Sequence, residues 1–192
     1  MAEVVRDGQH WRSGAAADIE WIYSATEIGV TITAAIPPVF DDYATIVLPH
    51  NVEQGQPRHD EAVIGVLAEY SRDQPWWLGY LDRGTSDIIF PEAPKVRLYA
   101  EWPYILVQAG PEQALRWRQC GAGSGYSSGL PELMFPVDRS WLASTLWDDD
   151  WTCIGGSKPL VDAFLAHPAL RSRAREVDLT VEDATPPGHT AI

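Results

Sequence analysis

Residues 76–81 read Trp-Trp-Leu-Gly-Tyr-Leu. As a strand, this stretch puts Trp77, Gly79 and Leu81 on one face and Trp76, Leu78 and Tyr80 on the other. Both faces are apolar. A sheet wetted on one side would leave an indole in water, so the strand has to be central, with packed layers above and below it. A chain of 192 residues supplies those layers as one globular domain, 1–192, hiding about 70% of the surface its unfolded form exposes.

The flanking segments supply neighbours. Residues 87–90, Asp-Ile-Ile-Phe, follow a turn at Asp82-Arg83-Gly84-Thr85 and read as a returning strand. Residues 96–110 read as a strand pair turning near 101–103, and Pro111 opens a short helix. Upstream, Ile19, Trp21 and Tyr23 alternate, as do Val30, Ile32 and Ala34, which predicts two strands about Gly29. Pro37-Pro38 opens a helix carrying Phe40, Tyr43, Ala44 and Val47 at helical spacing, stopped at Pro49. Residues 50–59 read as a polar loop. Asp60 then caps a helix whose apolar face is Val63, Ile64, Leu67 and Tyr70.

Residues 121–129 are Gly/Ser-rich and read as a flexible loop inside the domain. Residues 140–147 and 151–156 read as a hairpin. Ser157 caps a helix with Leu160, Val161, Phe164 and Leu165 inward, residues 175–181 offer a last strand, and 182–192 read as a loose tail. Strands outnumber helices and adjacent strands lack crossover helices. The expected class is α+β: a mainly antiparallel (mixed) sheet with three to four helices packed on it.

The net charge of −13 repels phosphate backbones, so the expected partner is not nucleic acid. The same charge speeds encounter with a basic protein. The start, MAEVVRDGQHWRSG, lacks the basic and apolar regions of a signal peptide. No apolar run approaches the 18 or so residues that span a membrane. Cys120 and Cys153 form neither a disulfide framework nor a CxxC pair, which places the chain in the cytoplasm with free thiols.

Residues 147–151, Trp-Asp-Asp-Asp-Trp, are the most distinctive local feature. With Asp148, Asp149 and Asp150 as a three-residue loop, Trp147 faces Trp151, Thr145 faces Cys153 and Ala143 faces Gly155. Consecutive carboxylates on a tight turn diverge and match no calcium-loop pattern, so no metal is expected. An acidic and aromatic tip suits a basic partner, and Trp147, Asp148, Asp149, Asp150 and Trp151 are the candidate contact residues.

A second candidate is the step Gly155-Gly156-Ser157-Lys158, where a strand enters a helix N-terminus and backbone N–H groups with Lys158 offer an anion site. Gly-Tyr-Ser-Ser-Gly, 125–129, matches the letters of a nucleophile elbow at Ser127, but no strand precedes it and no helix follows it. His10, His50, His59, His167 and His189 are scattered, without metal-ligand spacing. No cofactor and no catalytic residue is assigned.

The stretches AIPPVFDDYATIVLP, QPWWLGYLDRG, LYAEWPYILVQAGPEQA, FPVDRSWLASTLWDDDWTCIGG and DATPPGHTA resemble an uncharacterised family of actinobacterial cytoplasmic proteins. That resemblance brings no catalytic residues. IPPVFDDYATIVLPHN is also similar to the first helix of the SUKH superfamily, and SKPLVDAFLAHP to its final helix. His50-Asn51-Val52 stands where that superfamily has Asn-Gly-Gly. The resemblance implies an immunity-like binder without chemistry of its own.

The function expected from these readings is a non-enzymatic acidic protein that binds another protein through acidic and aromatic loops. The alternative is a small-molecule-binding protein or enzyme with a pocket lined by some of the nine tryptophans. The ligand and the oligomeric state stay open at this level.

Overall fold

The computed structural model describes residues 2–27, 31–49, 52–71, 73–82, 90–118, 129–146 and 149–180. The chain opens with β1 (Glu3–Arg6) and β2 (Gln9–Ser13), followed by α1 (Ala16–Tyr23), a 3-10 turn (Ile32–Ala34), β3 (Asp42–Val47) and α2 (Val52–Glu69). The middle is β4 (Trp76–Leu81), β5 (Lys95–Leu98), β6 (Trp102–Ala109) and α3 (Pro111–Arg116). The last part is β7 (Leu133–Pro136), β8 (Leu142–Ser144), β9 (Trp151–Gly156), α4 (Lys158–Ala166) and β10 (Ala174–Glu176). All ten strands join one sheet in the order β1-β2-β6-β4-β7-β8-β9-β3-β10, with β5 also on β6. Among the described residues every strand pairing is antiparallel. The class is α+β, with four α-helices on the sheet among the described residues.

The central position of β4 follows from its own side chains. β6 and β7 flank it. Trp76, Leu78 and Tyr80 enter a core under α2, α3 and α4, which adds Leu67, Phe164 and Trp141. Trp77 and Leu81 enter a second core on the opposite face, with Ile19 and Ile22 of α1 and Ile32 of the 3-10 turn. The returning strand expected at 87–90 falls almost wholly on residues that the structure does not describe. Residues 83–89 lie outside the described residues.

Two other expectations are corrected. Residues 16–23 form a helix rather than a strand. Asp18 accepts a hydrogen bond from the Ala15 N–H at 2.9 Å, capping the first turn, and Ile19 and Ile22 point inward three residues apart. The alternation of Ile19, Trp21 and Tyr23 was incidental to that face. Residues 42–47 form a strand rather than a helix, paired on both sides by β9 and β10. Its buried run from Tyr43 to Ile46 belongs to a strand covered on both faces, where the apolar run is continuous and three- and four-residue spacings arise without helix. The stretch resembling the first SUKH helix is therefore mostly loop and strand.

The helix expected from Asp60 begins earlier, at Val52, and carries Pro57 within it. The β1–β2 hairpin turns at Asp7 and Gly8, both with positive φ (53° and 72°), the conformation an Asp-Gly hairpin turn requires. The β5–β6 turn holds Tyr99, Ala100 and Glu101 at φ of 47°, 50° and 69°. Three left-handed non-glycine residues in a row are costly. They are held by the Tyr99 hydroxyl, which bonds the Ala35 carbonyl oxygen at 2.8 Å and the Ser144 hydroxyl at 2.9 Å. The last strand is shorter than the 175–181 expected, and the Gly/Ser-rich stretch 121–128 and the tail from 181 lie outside the described residues. Among the described residues, no helix is long and apolar enough to cross a membrane.

Candidate functional site

The β8–β9 hairpin exists, but its register differs from the expected one by one residue. Leu142 faces Gly155, Ala143 faces Ile154 and Ser144 faces Cys153. A one-residue slip moves every side chain to the other face. This register brings the hydroxyls of Thr145 and Thr152 to 2.8 Å and sinks Ala143 and Ile154 into one core and Leu142 and Cys153 into the other. The expected Ala143–Gly155 and Thr145–Cys153 pairs are therefore not formed, and the expected Trp147–Trp151 pair falls on residue 147, outside the described residues.

Trp147 and Asp148 lie outside the described residues. Asp149 donates its N–H to the Leu146 carbonyl at 3.1 Å, and the Asp150 carbonyl accepts from the Leu48 N–H at 2.6 Å, tying the tip to the end of β3. Asp149 is half-buried and Asp150 is exposed. Trp151 is 7% exposed and packs in the core. Of the described contact candidates, the side chain most open to a partner is that of Asp150.

At the second candidate, Gly155 and Gly156 are closely overlaid by side chains. A Cβ on Gly155 would sit 2.5 Å from Phe40, and one on Gly156 would sit 2.5 Å from Leu160. Ser157 occupies the N-cap position of α4 without a side-chain capping bond. The Lys158 ammonium lies 3.3 Å from Asp42, 3.2 Å from Asp162 and 3.8 Å from Glu176. Those three carboxylates consume the positive potential that an anion would seek.

The one described cysteine is withdrawn from solvent. Cys153 is fully buried, and burial, with Asp149 nearby, pushes its thiol far up, which disfavours the thiolate a nucleophile needs. His10 is exposed beside Glu3 at 3.1 Å, and His167 accepts from the Ala169 N–H at 3.2 Å. Ser127, Cys120, His50 and His189 lie outside the described residues. Among the described residues, no group of three or more His, Cys, Asp or Glu side chains is placed to hold a metal ion.

The eight described tryptophans are buried or half-buried. Trp76, Trp77, Trp117, Trp141 and Trp151 are buried, and Trp11, Trp21 and Trp102 are half-buried. Trp76 and Trp141 meet edge-to-face at 4.9 Å, as do Trp11 and Trp117. The indole N–H of Trp141 donates to the Ser71 hydroxyl at 2.9 Å, and that of Trp117 to Asp7 at 3.0 Å. These contacts spend the large indole area on cohesion.

A polar seam under α2 escaped the sequence. Gln56, His59 and Asp60 point into the protein, each under 8% exposed. Gln56 donates to Asp60 at 2.7 Å, and the Gly129 N–H donates to the same carboxylate. Burial raises the Asp60 carboxyl to about 7. Arg173 donates to His59 Nδ1 at 3.0 Å, so that nitrogen is the acceptor and the ring is neutral. Burial, then Arg173, lowers the His59 ring to about 4.

Nearby, Arg118 and Glu132 form an ion pair with side chains 6% and 3% exposed. The second Glu132 oxygen accepts from the Leu81 N–H at 3.1 Å. The Arg118 guanidinium lies 5.6 Å over the Tyr80 ring. The Tyr80 hydroxyl is buried without a hydrogen-bond partner among the described residues.

No family model, curated protein or solved structure matches this chain.

Proposed function

We propose that this is a non-enzymatic binding protein that recognises a basic protein partner in the cytoplasm through its acidic surface, with Asp148, Asp149 and Asp150 at the centre of the contact. The observation that carries this reading is the partition of side chains. Five of the eight described indoles and the Cys153 thiol are buried, while a net charge of −13 is left to act outward. Such a surface accelerates encounter with a cationic partner and selects against anionic ones. A protein that neutralises a basic toxin, immunity-like in its action, is one member of this class.

The test is capture from the native host at low salt by the wild-type chain and by the triple variant Asp148→Lys, Asp149→Lys, Asp150→Lys. The expected result is a basic protein held by the first and absent from the second. Equal capture by both, or none by the wild type, contradicts the reading.

A further inference from the structure

Among the described residues β1, β5 and β10 each pair with one neighbour only, and an unpaired strand edge is a template for another chain. Two of these edges are covered. α1 packs against β5, with Ile19 and Ile22 in the same core as Val96 and Leu98. On β10, Arg173 and Val177 bond to β3, so Ala174 between them turns its carbonyl outward. The Arg175 guanidinium folds back onto that carbonyl at 2.6 Å and onto the Arg171 carbonyl at 3.4 Å. β1 has no such cover: Glu3 is exposed and Val5 is 64% exposed.

The hairpin register decides which backbone groups of β1 face outward. The Ser13 N–H donates to the Ala2 carbonyl at 2.9 Å, and Val4 lies opposite Trp11 and Arg6 opposite Gln9. Hydrogen-bonded pairs alternate along an antiparallel ladder. Ala2, Val4 and Arg6 therefore bond to β2, while Glu3 and Val5 turn their N–H and C=O groups to the open edge. Among the described residues no backbone hydrogen bond from outside the hairpin reaches either. The edge is also fixed in place. The Trp11 indole donates to the Arg6 carbonyl at 3.1 Å, the Arg6 guanidinium to the Trp117 carbonyl at 3.1 Å, and the Trp117 indole to Asp7 at 3.0 Å. A preorganised edge loses little conformational freedom on pairing.

The strand Glu3-Val4-Val5-Arg6 is matched to itself in one register. A two-fold axis normal to the sheet keeps every side chain on its own face, so it passes through a residue rather than between two. Centred on Glu3, it sets Glu3 against Glu3 of the second copy. Centred on Val5, it sets Glu3 against Asp7. Like charges directly opposite destabilise both arrangements. Centred on Val4, it sets Val4 against Val4 and Glu3 against Val5, and the outward N–H and C=O groups of Glu3 and Val5 satisfy one another across the axis. Glu3, Arg6, Asp7 and Arg12 cancel over residues 2–14, so in a chain carrying −13 this strip brings no net charge to the contact. We propose that two copies of this chain pair antiparallel through β1 about a two-fold axis at Val4, joining their sheets into one. The surface is separate from Asp148, Asp149 and Asp150, so the inference stands apart from the acidic contact.

The test is sedimentation of the full chain from micromolar to near-millimolar concentration at low and high salt. The expected result is a monomer–dimer equilibrium that strengthens with salt, because screening relieves the repulsion between two acidic copies. That is the opposite salt dependence to capture of a basic protein, so the two readings fail separately. Val5→Pro removes an outward N–H that the hairpin does not use, and weakens dimerisation about tenfold or more. Oxidation reads the register. In a Cys120→Ser background, with Cys153 buried, Val4→Cys forms a disulfide between copies faster than Glu3→Cys or Val5→Cys, since the facing Cα atoms of such a pair lie about 4.5 Å apart. A chain that stays monomeric at every concentration and salt overturns the proposal. So does a dimer that a folded Val5→Pro variant leaves intact, or faster linking of Glu3→Cys or Val5→Cys than of Val4→Cys. The wild-type sedimentation and the cysteine series decide the matter whether or not the proline variant folds.

Discussion

Replacing Asp60 with asparagine should expose a hidden pH dependence of stability. The Asp60 carboxyl is raised from 3.8 to about 7 by burial, opposed by hydrogen bonds from Gln56 and the Gly129 N–H. Between those values the unfolded chain has lost a proton that the native chain keeps, so stability falls as pH rises, by about 1.4 kcal/mol per unit. His59 acts with the opposite sign. Its ring is lowered from 6.5 to about 4; below 6.5 the unfolded chain takes up a proton that the native chain refuses, and stability rises with pH at a similar slope. From about pH 4 to 6.5 the two neighbours cancel.

Asp60→Asn removes one side of that balance. The variant should gain stability relative to the wild type as pH rises from 4 to 7, by about 4 kcal/mol in total, from roughly three units at about 1.4 kcal/mol each. The amide that replaces the carboxyl has one acceptor fewer, which offsets about 1 kcal/mol at every pH. Urea unfolding of both proteins at pH 4.5, 5.5, 6.5 and 7.5 gives the difference directly, because all other titrating groups are shared. A difference that stays flat across the series refutes the reasoning.

The buried Arg118–Glu132 pair gives a second prediction. Glu132→Gln leaves a guanidinium buried without its counter-charge and should cost about 3–5 kcal/mol, whereas the double variant Arg118→Met, Glu132→Leu should cost less than either single change; denaturant midpoints of the three variants check the order. Gly155→Ala forces a methyl to 2.5 Å from Phe40 and 2.7 Å from Ile36 and should cost about 1–3 kcal/mol, read as a lowered melting temperature.

The legible parts of the fold were those where one residue pattern had one physical meaning. β4 was recognisable because both faces are apolar, and the β5–β6 pair and α4 because turn residues bound clear periodic runs. Residues 42–47 misled because a strand buried on both faces carries no alternation. Residues 16–23 misled because two of the helix's aromatics stay half-buried or exposed. The β1–β2 hairpin had a usable signal, Asp7-Gly8, between runs too polar to stand out as strands. The first half of α2 was hidden by its function in the core: Gln56, His59 and Asp60 occupy inward positions where the amphipathic rule expects apolar side chains. No local pattern joins Arg118 to Glu132, 14 residues apart, since only the folded sheet brings them together. The register of β8 on β9 was set by which side chains the two cores accept, a tertiary constraint absent from the hairpin's own letters.

The central claim is that binding is electrostatic recognition of a basic protein by an acidic surface. The direct measurement is the dissociation constant of the purified complex against ionic strength, from about 0.02 to about 1 M, where the screening length shrinks to about 3 Å. Affinity that falls steeply with salt for the wild type, and is already weak and nearly salt-insensitive for the reversal at 148–150, is the predicted result. A tight complex indifferent to salt and to that reversal contradicts the account.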